Sequence, residues 1–407
     1  MFLKKLFTFL LLASSLFVLA EEPTEKFKFY GFIRNDFYFN SRQNVESVDG
    51  VFHLFPKPIS LNSENEDIYD TPQAELLSVS TRLGVDINGS LLFGAKSSAK
   101  IEADFSGFSS NYYVVRIRQA YVRLNWEETE LLVGQTWHPL FGSVMPTVPS
   151  LNTGAPFQPF NRSPQIRIKQ NLNSSLSLTA AAIYQMQYTS QGPLGSSNLY
   201  LKKALLPDIY LGAENKTSHW TSGIGVDVKT IKPDTKNITS ASAVIYTQYA
   251  NTNFQLKAKA LWGENMSDHL MLSGYGVSKL NSDSTSAEEY TNFNIVSTWI
   301  NAVYGTKIQG GLFVGLSQNL GTNKELTAGS DGQFTVYGSG FYTESQLLLD
   351  RLYRIAPHIS YNLPNLKIGL EYDFTSAKYG TLKNNGRIAE PYTLNNHRVV
   401  TSMCYFF

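Results

Sequence analysis

A period of two constrains this chain more than any other feature. After Ala20, segments near ten residues long alternate apolar and polar side chains, with almost no helical period between them. Leu77, Val79, Leu83, Val85 and Ile87 alternate with Ser78, Ser80, Arg82, Gly84 and Asp86; Phe254, Leu256, Ala258, Ala260 and Trp262 alternate with Gln255, Lys257 and Lys259. In an extended strand the two sets stand on opposite faces. Half-buried strands of a soluble sandwich alternate too. Here the polar faces carry charge at mid-strand, and aromatic residues gather toward strand ends. Strands are predicted near 26–40, 76–88, 91–105, 112–126, 129–136, 164–172, 174–187, 206–214, 219–231, 238–250, 253–264, 291–304, 307–318, 345–361, 365–376 and 393–407.

The connections between these segments alternate in length. Those at 41–75, 106–111, 137–163, 188–205, 265–290, 319–344 and 377–392 are mostly long. Those at Asn88-Gly89-Ser90, Glu127-Glu128, Asn173, Asn251-Thr252, Gly305-Thr306 and Leu363-Pro364 are short. The 232–237 connection, short where a long one is due, is the exception. Strict alternation of short turns and long loops belongs to outer-membrane barrels and has no reason to arise in a sandwich. The fold class is therefore all-β, a transmembrane antiparallel β-barrel of about 16 strands filling 21–407.

The N-terminus agrees with export. Met1 to Lys5 is a basic start, Leu6 to Val18 is apolar, and Val18-Leu19-Ala20 precedes Glu21-Glu22-Pro23, so 1–20 reads as a cleaved signal peptide. A helical anchor needs about 20 apolar residues, more than this core supplies. The expected location is the outer membrane of a Gram-negative bacterium, with lipid and lipopolysaccharide around the wall. A net charge of +1 argues against a nucleic-acid partner. The single cysteine, Cys404, can form neither an intrachain disulfide nor a zinc site, and no cofactor or metal is expected.

Function concentrates around one loop. The segment 137–163, from Trp137-His138-Pro139-Leu140-Phe141-Gly142 to Asn161-Arg162-Ser163-Pro164, is stiffened by proline and rich in aromatics. By strand count it occupies the place of the third outer loop that folds into the lumen of 16-stranded porins. Arginine is densest beside it. Arg116, Arg118 and Arg123 precede it, and Arg162, Arg167 and Lys169 follow; Arg34 and Arg82 add to the polar faces. Arg123 has the opposite parity to Arg116 and Arg118. Either a β-bulge near Gln119 shifts the register, or Arg116 and Arg118 face a subunit interface or lipid headgroups. The polar faces hold more Lys and Arg than Asp and Glu, and rings of basic side chains favour anions in pores.

The stretches Arg118-Gln119-Ala120-Tyr121-Val122-Arg123, Leu132-Val133-Gly134-Gln135-Thr136-Trp137 and Asn396-His397-Arg398 resemble the DcaP-like trimeric porins. That resemblance implies a homotrimer of narrowed, basic barrels passing small anions such as carboxylates. Glu21 to Lys26 is too short for coiled-coil heptads, so trimer contacts would rest on the barrel wall. By the same resemblance the last strand, ending on Phe407, is the signal read by the barrel assembly machinery. The expected function is a passive outer-membrane diffusion channel with Arg116, Arg118, Arg123, Arg162, Arg167, Lys169, Arg34 and Arg82 lining its constriction. A surface receptor or adhesin displaying the long 41–75 loop is the competing reading, and a barrel enzyme follows it. The histidines His53, His138, His219, His269, His358 and His397 are scattered without a nucleophile elbow or paired-ligand spacing. Glu64-Asn65-Glu66-Asp67 could offer calcium ligands but reads first as an acidic surface loop.

Overall fold

The structure, a computed structural model, describes residues 26–48, 50–106, 114–281 and 287–407. The signal-peptide expectation for 1–20 and most of the 106–111 connection lie outside the described residues. Sixteen antiparallel wall strands close into a barrel. The strand Phe27–Asn40 pairs on one side with Gln73–Leu77 and Arg82–Leu92, and on the other with Ile388–Phe406, where Phe32 faces Phe406 and Asp36 faces Ser402. Phe407 completes the seam through Gly31 N to Phe407 O at 3.1 Å and Phe407 N to Gly31 O at 3.2 Å. Among the described residues the one α-helix is Leu199–Ala204, and none is long and apolar enough to cross a membrane.

Burial runs in the opposite sense to a soluble fold. In Phe27–Asn40, Phe27, Phe29, Ile33 and Phe37 are exposed while Arg34, Asp36 and Asn40 are buried. In Ile388–Phe406, Met403 and Tyr405 point out while Arg398, Ser402 and Cys404 point in. An apolar outer band with a polar interior is stable only against hydrocarbon, where a lipid-facing Arg or Lys at mid-depth would cost about 2–4 kcal/mol. The barrel is of the outer-membrane type.

Several expected boundaries move. The first hairpin turns at Phe93-Gly94, with φ of 53° and 76°, and not at Asn88-Gly89-Ser90. Gly89 and Ser90 instead form a bulge between the Asn88–Ser98 and Leu91–Lys96 pairs, so the left-handed pair that closes the turn lies four residues farther on. The expected loop 377–392 is mostly wall: Leu366–Leu382 and Ile388–Phe406 run on as a hairpin closed at 383–387, where Lys383 N meets Arg387 O at 2.8 Å. The second wall strand is interrupted at 78–81, between Gln73–Leu77 and Arg82–Leu92.

The connection expected as a 41–75 surface loop differs most. It forms a hairpin, Asn44–Ser47 with Phe52–Pro56, whose Val48, Val51, Phe52, Leu54 and Phe55 are all buried. Tyr379 Oη donates to Pro56 O at 2.6 Å, and Arg398 Nη1 to His53 O at 3.3 Å, both from the polar face of the wall. Phe52 meets Phe160 of the 137–163 segment edge-on at 5.2 Å.

Candidate functional site

The segment 137–163 begins with the 3-10 turn Pro139–Phe141 and is held by side chains from strands all round the wall. Lys259 Nζ donates to Phe141 O and to Gln158 Oε1. Asn301 Oδ1 accepts from Thr147 N at 2.7 Å, and Arg34 Nη2 donates to Pro149 O at 2.6 Å. Glu371 accepts from Ser150 N and Thr153 Oγ1. Arg354 Nη1 donates to Thr153 O and Ala155 O at 3.0 and 2.7 Å, while its Nη2 donates to His53 O and Leu54 O at 3.2 and 3.0 Å. One guanidinium thus ties two loops. Phe157 packs against Phe313, inside the apolar cluster that joins both loops to the wall.

The eight basic residues singled out above separate into two cavities. The larger, about 340 Å³, is lined by Arg34, Arg82, Arg116, Arg118, Arg162 and Lys367, faced by Val51 and Phe52 of the first loop and Met145 and Val148 of the third. At about 30 Å³ per water it holds on the order of ten waters, room for a small carboxylate. Arg116 grips Asp104 with Nε and Nη2 at 2.9 and 2.7 Å. Arg118 reaches Glu102 at 2.9 Å and Asp104 at 2.5 Å, Arg82 lies 3.6 Å from Glu102, and Arg34 binds Asp36 at 2.7 Å. Three carboxylates therefore pair with four of the six cations. Among the described residues, Arg162 and Lys367 have no carboxylate within ion-pair distance. Arg162 donates to Tyr188 Oη at 2.8 Å, and its guanidinium lies 4.8 Å from the Trp137 ring centroid and 5.6 Å from that of Tyr188. The stacked aromatics orient the cation without neutralising it.

The second cavity, about 250 Å³, is lined by Arg123, Arg167 and Lys169 together with Glu130 and Glu214. Glu130 sits between Arg123 at 3.4 Å and Arg167 at 3.7 Å. Trp137 lines both cavities. The smaller one lies toward the short turns, since Lys169 also borders the Glu127-Glu128 turn.

The parity conflict among Arg116, Arg118 and Arg123 is resolved by a bulge. Gln119 pairs with Glu102 and Ile117 with Ala103, leaving Arg118 as the extra residue. The shift brings Arg116 and Arg118 onto the face of Glu102 and Asp104, where both are buried on the side away from lipid, and Gln135 Nε2 steadies it by donating to Ile117 O at 2.8 Å. Lys367, one of the basic residues on the polar faces, and Trp137, which opens the loop, line the cavity as well, and Tyr188 is an orienting residue that the sequence did not single out. For the first-loop contribution a signal existed: Val51-Phe52-His53-Leu54-Phe55-Pro56 is too apolar a run to wave in solvent.

No protein-family model matches the chain, and no curated protein matches it. Solved structures do. The outer membrane channel DcaP of Acinetobacter baumannii superposes with a TM-score of 0.67 at 18% identity, over 94% of this chain and 97% of that one. The anion-selective porin from Comamonas acidovorans gives 0.56 at 10% identity, over 94% and 99%. The trimer form of OmpT, an outer membrane protein of Vibrio cholerae, gives 0.53 at 10% identity, over 94% and 99%. The chain has the barrel fold of these outer-membrane proteins, and the resemblance to the DcaP-like porins holds at the level of that fold.

Proposed function

We propose that this protein is a passive diffusion channel of the Gram-negative outer membrane that favours small anions such as carboxylates. The observation that carries the reading is the larger cavity, where Arg162 and Lys367 present charge that no carboxylate neutralises. The 137–163 segment narrows the lumen there, with the 41–72 segment behind it. Arg34, Arg82, Arg116 and Arg118 set the local potential with their paired carboxylates, and Arg123, Arg167 and Lys169 line the vestibule on the turn side. Planar guanidinium groups bind carboxylate in a fork, and a low-dielectric wall strengthens the field an entering anion meets. Transport is diffusion down a gradient, and no catalytic step is assigned. The chain works as a homotrimer packed through its apolar wall, a reading supported by the trimeric form of the OmpT neighbour.

Purified protein in planar bilayers tests this. Stepwise conductance with a reversal potential favouring anions in a salt gradient is expected. A cation preference would remove the charge argument, and no conductance at all would favour a display function. Replacing Arg167 and Lys169 by Glu should lower or reverse the preference; an unchanged reversal potential would take them out of the permeation path.

A further inference from the structure

The 137–163 segment starts over a second polar cluster that the channel reading leaves unused. His138 follows the strand Thr129–Trp137, Asp208 opens the strand Asp208–Lys216, and Asp227 lies in Trp220–Ile231. All three are buried, at 1%, 2% and 4% exposure. One ligand atom from each falls within 4.8 Å of the others, and His138 Nε2 is 3.8 Å from both Asp208 Oδ2 and Asp227 Oδ1. That distance is too long for a hydrogen bond. Among the described residues, His138 Nε2, Asp208 Oδ1 and Asp227 Oδ1 have no hydrogen-bond partner, and the imidazole nitrogen faces one oxygen of each carboxylate.

Charge makes the arrangement costlier. The nearby Lys229 is engaged by Asp268 at 2.5 Å and by Asn265 O at 2.7 Å. Lys229 therefore acts on Asp208 and Asp227 only at longer range, and among the described residues no Lys or Arg lies within ion-pair distance of either buried carboxylate, an arrangement that is disfavoured. A divalent cation supplies the charge and takes the unpartnered imidazole nitrogen together with one oxygen of each carboxylate.

We propose that His138 Nε2, Asp208 and Asp227 bind one divalent transition cation of the zinc class, clamping the start of the 137–163 segment to two wall strands. One imidazole nitrogen with two carboxylate oxygens is a borderline N/O donor set, suited to zinc over calcium or magnesium. Metal–ligand bonds near 2.0–2.2 Å place tetrahedral ligands roughly 3.4 Å apart, so side-chain shifts of a few tenths of an ångström close the 3.8 Å gaps. Coordination through Nε2 puts the ring proton on Nδ1. The 3.2 Å bond that Leu140 N donates to Nδ1 is then given up, which couples the site to the Pro139–Phe141 turn. A proton shared between the two carboxylates is the rival way to neutralise them, and it predicts no metal uptake.

Tag-free full-length protein in detergent, stripped by chelator and dialysed, would be titrated with Zn²⁺ by calorimetry at neutral pH. Saturable uptake of one ion per chain is expected. His138→Gln and Asp227→Asn should each weaken it about 100-fold or more, while His219→Gln, an exposed ring at a turn, should leave it unchanged. Because a buried substitution can impair folding, Cu²⁺ electron paramagnetic resonance on the unaltered protein gives a second reading, with coupling to a single equatorial nitrogen expected. No saturable uptake, binding that survives both substitutions, or a copper signal without nitrogen coupling would each overturn the proposal. The measurement needs no transport, so a barrel without anion preference leaves it standing.

Discussion

Arg354→Met is the perturbation that best separates the barrel from what fills it. Methionine keeps most of the side-chain volume but donates nothing. The substitution removes the four bonds to the loops, at Thr153 O, Ala155 O, His53 O and Leu54 O, together with a wall bond to Thr375 Oγ1 at 2.8 Å and the ion pair to Asp373 at 3.0 Å. Asp373 keeps Arg398 as its ionic partner, so no buried carboxylate is stranded. At about 1 kcal/mol net per bond, the four sum to roughly 4 kcal/mol favouring docked loops. At about 1.4 kcal/mol per tenfold, that is on the order of a thousandfold in the docked-to-undocked ratio. The wall strands keep their ladders, so the barrel should still migrate as a heat-modifiable folded species. Single-channel conductance should rise and become noisier, and chymotrypsin should cut faster after Phe52, buried in the docked first loop. Conductance, noise and cleavage all equal to those of the unaltered protein would refute the clamp and the energy assigned to it.

Other tests address charge and pH. Arg162→Gln combined with Lys367→Gln removes the two cations without carboxylate partners and should lower the anion-to-cation permeability ratio several-fold; an unchanged reversal potential would place them off the path. Asp104→Asn frees Arg116 and Arg118 from their shared carboxylate and should raise anion preference while lowering thermal stability, since a broken buried pair costs about 3–5 kcal/mol. In the outer loop, partial burial pushes the Asp67 carboxyl up, but bonds from Ser60 N, Arg42 and Tyr69 N outweigh it and hold the group below the usual carboxylate range. Asp67 therefore contributes order that is fully present above its ordinary pKa of about 4 and lost as pH falls through the lower folded value. Protection of the 57–72 peptide from hydrogen exchange, measured relative to the intrinsic rate at each pH, should be high at pH 6 and fall below pH 4, and Asp67→Asn should abolish that dependence.

The wall was legible because its code is local. Each segment carries its own period of two, and the turns at Glu127-Glu128, Asn251-Thr252 and Leu363-Pro364 lie where their chemistry puts them. The parity that sends Phe29 and Ile33 outward and Arg34 inward is fixed within a few residues. Placing the basic residues next to the third loop needed only chain order.

Local pattern alone therefore specifies an inside-out antiparallel sheet and the side of it on which the charges stand. Tertiary structure decided how those charges are spent. The bulge at Arg118 depends on pairing across to Glu102, and the neutralisation of Arg82, Arg116 and Arg118 depends on carboxylates of the neighbouring strand, whereas Arg34 meets Asp36 on its own strand. The first loop is buried because Arg354 and Tyr379 meet it from about 300 residues away. His138 lies beside two carboxylates that reach it only once the wall is closed. Alternation is written into each strand, whereas register, loop docking and ion pairing are properties of surfaces that exist only after distant strands have met.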